Sequence, residues 1–254
     1  MRVGAQFQSH GTTAGALVDA AAGLVERGVD SVWVWDHLVP FTLGPPNVAW
    51  DAWTMLGAIG RSLAGKQVRL GVLVSPLSFR EPAILARSAA TVASLTGTTV
   101  VLGIGMGGFG PDDRLVDGAS ARRSEFVQRA RRLRGEVDSV NRVQGTDVRL
   151  WVAGDGPRVT IPTAVELAYG WNGFGPPAHF RRQVDLVNRL LAERARERDG
   201  FLTSVLVTRH HADVPMREWM DSKADELIVS LAPDGDNGFD TGLLFGILDA
   251  LWTS

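Results

Sequence analysis

Cysteine is absent from the 254 residues. That excludes a disulfide framework, a thiolate zinc site and a cysteine nucleophile, and it suits a reducing cytoplasm. A surplus of charge is missing too. The 26 Lys and Arg against 28 Asp and Glu leave a formal net charge of −2, without the basic excess of a nucleic-acid binder. Long apolar runs are also lacking. The opening Met-Arg-Val-Gly-Ala-Gln-Phe has no apolar core of a secretory signal. The greasiest stretch, 242–252, is too short to span a bilayer and carries Asp249. The expectation is a soluble, cytoplasmic protein with neither nucleic acid nor membrane as partner. What is present is an ordinary globular composition with 45% hydrophobic residues, which excludes wholesale disorder.

Strand and helix signals alternate along the chain. β-branched and aromatic runs predict strands at 3–7, 31–35, 68–74, 100–104, 148–152, 171–174, 202–208 and 226–231. Apolar periodicity predicts helices over 13–27, 53–62, 83–95, 122–140, 163–169, 180–197 and 239–251. In the first helix Leu17, Ala21, Leu24 and Val25 share a face, with Gly28 at the C-terminal cap. Pro82 takes the favoured first position of the third. Alternation implies parallel strands with crossover helices, and eight such units in this length favour a closed (β/α)8 TIM-type barrel over an open doubly wound sheet. No linker or low-complexity tract interrupts it. Residues 1–254 therefore read as one domain, shortened in its late βα units.

In such a barrel the functional loops follow the C-terminal ends of the strands. The segments to inspect are Asp36-His37, 75–80, 105–114, 154–158, 175–177 and 232–236. Gly103-Ile-Gly105-Met-Gly-Gly108 matches the dinucleotide fingerprint literally, but no second strand follows at the required distance, and the Rossmann reading fails. The arginine-rich run 122–142 carries Phe126, Ala130, Leu133, Val137 and Val140 at spacings of three and four, an amphipathic helix with its basic residues outside. His37 at a strand end either exchanges a proton near neutral pH or is a loop histidine tied to a carbonyl. The tryptophans around it either pack structurally or wall an aromatic ligand. Gly154-Asp-Gly-Pro-Arg158 is either a phosphate cradle or a tight turn. His210-His211 has no acidic partner at metal-binding spacing, and no metal site is assigned.

The ordered motifs resemble the bacterial luciferase-like family of flavin- and deazaflavin-dependent oxidoreductases. The matching segments are Gly28-Val-Asp-Ser-Val-Trp-Val-Trp-Asp-His37, Trp53-Thr-Met-Leu-Gly-Ala58, Val68-Arg-Leu-Gly-Val-Leu-Val-Ser-Pro76 and Phe79-Arg-Glu-Pro-Ala-Ile-Leu-Ala-Arg-Ser-Ala-Ala-Thr91. Leu102-Gly-Ile-Gly-Met-Gly107, Trp151-Val-Ala-Gly154 and Ala168-Tyr-Gly-Trp171 continue the order; the likeness is dense to about residue 175 and thin beyond. The resemblance implies a (β/α)8 barrel that binds coenzyme F-420, an 8-hydroxy-5-deazaflavin, with FMN as the alternative. It implies Asp36 beside the ring, His37 in the reaction pocket and a non-proline cis peptide at Leu73–Val74 backing the ring. It also implies cofactor contacts at Leu73, Val74 and Ser75, at Gly105, Met106 and Gly107, and at Gly154, Asp155 and Gly156.

Two departures bear on the chemistry. Relatives place a proton-donating glutamate after the Gly-x-Gly-x-Gly series, and here that position is Gly108. Everything after about Gly175 is compressed. The nearest acids in sequence, Asp112 and Asp113, follow Pro111 in a loop, so His37 is expected to carry any proton transfer. The expected activity is hydride transfer between C5 of coenzyme F-420 and a small organic substrate. The alternatives are an FMN-dependent monooxygenase and a non-catalytic flavin-binding barrel. A homodimer is what the resemblance suggests.

Overall fold

Eight parallel strands close on themselves in chain order: β1 Arg2–Phe7, β2 Ser31–Val34, β3 Arg69–Pro76, β4 Val100–Gly105, β5 Val148–Ala153, β6 Gly170–Gly173, β7 Leu202–Val207 and β8 Glu226–Leu231. Closure is made by β1, where Gly4 aligns with Ser31 of β2 on one side and Ile228 of β8 on the other. The structure is a computed structural model, and it describes residues 1–40, 49–107, 112, 115, 116, 118, 124–235 and 237–252. Eight α-helices lie among these residues. They are α1 Ala14–Glu26, α2 Ala52–Ser62, α3 Pro82–Thr96, α4 Phe126–Gln144, α5 Thr160–Leu167, α6 Pro177–Glu193, α7 Met216–Met220 and α8 Gly242–Trp252.

The (β/α)8 architecture is the one expected, and most differences lie at helix ends. The fifth helix starts three residues before its first expected position because Pro162 falls in its first turn, where backbone N–H groups have no intrahelical acceptor to lose. The sixth likewise opens on Pro177. The fourth runs to Gln144 and stops at Gly145, whose φ of +65° closes the turn. Between β7 and β8 a 3-10 turn at Arg209–His211 and the five-residue α7 replace a full crossover helix. His211 Nδ1 accepts from the Thr208 backbone N–H within that turn. The late barrel is indeed short.

Strand alternation divides the core in two. Outward residues such as Val32, Val34, Leu70, Val72, Leu102 and Val152 join the apolar faces of the helices in the main cluster. All five apolar positions expected of α4 are buried there. Its arginines do more than face solvent: Arg129 Nε donates to the Leu77 carbonyl at 2.9 Å, and Arg134 Nη1 donates to that of Leu167 at 2.7 Å.

Inward residues form a second cluster around Trp33 and Trp151, whose ring centroids lie 5.3 Å apart. Two indoles fit because their neighbours have no side chain. Below them Arg69 Nη1 donates to Glu226 Oε2 at 2.5 Å, the Ser31 hydroxyl donates to Glu226, and Trp33 Nε1 donates to Ser31 Oγ at 2.6 Å. The lower half of the barrel is therefore filled, and its enclosed space lies above. A Cβ at Gly71 would fall 2.5 Å from the Trp33 ring and 2.9 Å from the Val101 carbonyl oxygen. Gly71→Ala is expected to lower unfolding stability by about 1–3 kcal/mol. Thermal and denaturant unfolding check this, and unchanged stability would contradict the arrangement.

Candidate active site

Above the tryptophans the inward positions of the strands enclose a cavity of about 670 Å³, within the range of small-molecule sites. It opens at the C-terminal ends of the strands, the face on which barrel chemistry is placed. One wall is the end of β3. Its register slips against β4 between Val72 and Ser75, and the Leu73–Val74 peptide is cis, as the resemblance implied. Gln6 on β1 donates from Nε2 to the Leu73 carbonyl and fixes that wall. Leu73, Val74, Pro76 and Phe79 present apolar surface to the cavity.

Two glycine-bearing edges follow this wall around the barrel. Gly105, Met106 and Gly107 line the cavity after β4, and Gly154, Asp155 and Gly156 line it after β5. Gly107 has a φ of +76°, and a Cβ there would collide with the Ser78 side chain, so glycine is required. The second edge is held by Thr160, whose Oγ1 accepts from Gly156 N at 2.9 Å and donates to the Gly154 carbonyl at 2.8 Å. Asp155 accepts from the Phe174 backbone N–H at 3.1 Å, which ties its carboxylate to the end of β6.

Asp36 and His37 part company. On β2 the inward series runs Ser31, Trp33, Trp35 and His37, and both Trp35 and His37 line the cavity. Asp36 is one residue out of phase and points between barrel and helices. It is 1% exposed and does not line the cavity. Its Oδ2 accepts from Ser75 Oγ at 2.7 Å and from Arg80 Nε at 3.0 Å, and its Oδ1 accepts from Arg80 Nη2 at 2.5 Å. Ser75 in turn accepts from Trp53 Nε1 at 3.0 Å and is also off the lining. Strand parity thus places both Asp36 and Ser75, expected beside the ring, behind the wall and off the cavity lining. Burial pushes the Asp36 carboxyl up, against the pull of Arg80 and Ser75. The two carboxylates beside Arg80 hold its guanidinium charged despite burial.

Two further features were not expected from the sequence. Asp112 comes back onto the β2 loop: its Oδ2 lies 2.5 Å from His37 Nδ1, and its Oδ1 accepts from Leu38 N at 2.8 Å and Val39 N at 3.1 Å. Burial pushes this carboxyl up, but His37 and the two backbone donors outweigh it and hold it below the usual range. The structure thus sets a carboxylate against His37, the residue expected to carry any proton transfer. Gly108 and Asp113 lie outside the described residues. The second feature is Asn172 on β6, fully buried and lining the cavity. Its Nδ2 donates to Ser204 Oγ at 3.0 Å, and its Oδ1 has no partner among the described residues. The available signal was a lone amide at an inward position of an otherwise apolar strand.

Eight parallel strands closed in chain order, with a cavity at their C-terminal ends, make this a TIM-type (β/α)8 barrel. Residues 1–230 match the model of the luciferase-like monooxygenase family, and the chain belongs to that family. It is 32% identical over 134 residues to an F420-dependent glucose-6-phosphate dehydrogenase of Amycolatopsis mediterranei, covering 52% of this chain and 38% of that protein. It is 39% identical over 98 residues to a phthiodiolone/phenolphthiodiolone dimycocerosates ketoreductase of Mycobacterium kansasii, covering 32% of this chain and 26% of that one. The chain thus matches between a quarter and two fifths of these relatives' length. In fold it is similar to an F420-dependent secondary alcohol dehydrogenase in complex with an F420-acetone adduct, with a TM-score of 0.72 at 14% identity over 90% of this chain and 92% of that one. It is equally similar to apo-MsnO8, with a TM-score of 0.73 at 14% identity over 100% and 99%.

Removing the guanidinium behind the wall is the informative perturbation. Arg80→Ala leaves the Asp36 carboxylate buried without its cation, at an expected cost of about 3–5 kcal/mol near neutral pH. Burial then acts on Asp36 with less opposition and raises its folded-state pKa further. A folded pKa above the unfolded one removes stability as pH rises through it. The deficit relative to wild type is therefore expected to be small in acid and to grow toward neutrality, as read from urea midpoints across the pH range.

Proposed function

We propose that the cavity holds a planar deazaflavin or flavin ring and that the protein is an oxidoreductase acting on a small organic molecule. The observation that carries this reading is the fit of the cavity to such a ring. An apolar wall at Leu73–Val74 is followed around the barrel by two glycine-bearing edges, and a buried acceptor, Asn172 Oδ1, has no partner among the described residues and suits an N–H donor. A ring with a lactam N–H on one edge matches that donor requirement. Coenzyme F-420 is favoured because the longer of the two curated matches above is F420-dependent. FMN is the competing ligand, since a monooxygenase of Pseudomonas putida in complex with FMN shares the fold at a TM-score of 0.58.

When bound, the deazaflavin supplies hydride chemistry at its C5. The protein's own residues do the rest. Val74 and Leu73 would back the ring, and the backbone at Gly105–Gly107 and Gly154–Gly156 would hold its edges. Trp35, Met106 and Leu206 supply apolar surface that keeps water from the reacting face. His37 gives a proton to, or takes one from, the substrate oxygen as the carbon gains or loses hydride.

Parallel fluorescence titrations with coenzyme F-420 and FMN test the cofactor. The expected result is tighter binding of coenzyme F-420, and failure of both ligands to bind would overturn the proposal. Asn172→Leu is expected to weaken binding about 3- to 10-fold, the value of one hydrogen bond to a buried acceptor. His37→Asn is expected to lower kcat about 100-fold or more while changing coenzyme affinity little, because the proton moves only in the transition state. Binding without turnover of any alcohol or ketone would leave the non-catalytic barrel as the reading.

A further inference from the structure

We propose that Asp112 is a positioning residue that fixes the ring and the tautomer of His37, so that the proton-handling unit of the cavity is the pair. The reading of His37 as proton carrier is that of the proposed function, and the inference rests on it for its catalytic consequence. The structural part stands alone.

The carboxylate is itself held by the backbone of the β2 loop. Asp112 is 4% exposed, and its Oδ1 receives two consecutive backbone N–H groups, those of Leu38 and Val39. A carboxylate gripped by two backbone donors is charged and cannot turn freely. Its second oxygen is thereby aimed at His37 Nδ1, 2.5 Å away. The imidazole is confined on its other side by Trp35, which meets it edge-on at 4.7 Å between centroids. An anion on Nδ1 places a proton there and so selects the tautomer.

The charges around the ring support the same conclusion. His10, after β1, stacks on the far face of Trp35 at 5.1 Å, and burial followed by the charge of His37 lowers its pKa, so it is neutral near pH 7. Asp36 and Arg80 lie behind the strand and satisfy each other. Among the described residues, Asp112 is then the charge that acts on His37 directly. Its segment follows β4, whereas His37 follows β2, so the contact ties two βα loops together over a separation of 75 residues.

The test uses ligand-free protein and histidine NMR. In wild type, a slowly exchanging downfield Nδ1–H of His37 is expected, assigned by its loss in His37→Asn. That signal is expected to exchange too fast to be seen in Asp112→Leu and to persist in Asp112→Glu. If coenzyme F-420 turns over, Asp112→Leu should lower kcat at least about tenfold with little change in KM, and Asp112→Glu should restore most of it. A slowly exchanging Nδ1–H that persists in folded Asp112→Leu overturns the proposal. Should that variant not fold, absence of the Nδ1–H signal in wild type overturns it equally. Because the spectra need no cofactor, a protein that binds neither coenzyme F-420 nor FMN refutes the functional reading alone.

Discussion

Trp33 and Trp151 meet inside the lower barrel because Gly4, Gly71 and Gly170 leave them room. Everything above depends on this filling. With the floor sealed by the indoles and by the Arg69–Glu226 pair beneath them, the next inward layer cannot sink, and Gln6, Trp35, Leu73 and Asn172 are left to face open space. The same alternation that sends Trp33 inward sends Val32 and Val34 to the helices. One periodicity therefore builds the core, the floor and the cavity.

That periodicity also decides what the sequence reveals. The barrel is legible because most strands are compact β-branched or aromatic runs and each long helix repeats its apolar residues every three or four positions. The short α7 is not, since five residues carry no periodicity to read. Asp36 and His37 sit together at a strand end, where position alone made both look functional. Counting by twos from Ser31 separates them, and only His37 reaches the cavity. Asp112 was seen as a nearby acid but not as a partner, because its contact crosses 75 residues that no local pattern spans.

The polar residues of the cavity follow from the same geometry. Gln6, Asn172 and Ser230 occupy inward positions of three different strands and line one space. Gln6 is used to hold the Leu73 carbonyl, and Gln8 donates from Nε2 to Ser230 Oγ at 3.2 Å. Asn172 keeps a buried oxygen with no partner among the described residues, which an interior tolerates when a ligand supplies the missing donor. Each of these polar groups thus has either a structural task or an opening for one.

Behind the apolar wall, Arg80 joins Asp36 at the end of β2 to Asp51 at the start of α2, and Arg129 from α4 holds the Leu77 and Arg80 carbonyls at 2.9 Å each. The segment that follows β3 is clasped from outside by two guanidinium groups. A wall set in this way meets its ligand already in shape. Little freedom is left there to be frozen on association, so selectivity comes from outline, and a molecule that departs from that outline meets resistance instead of accommodation.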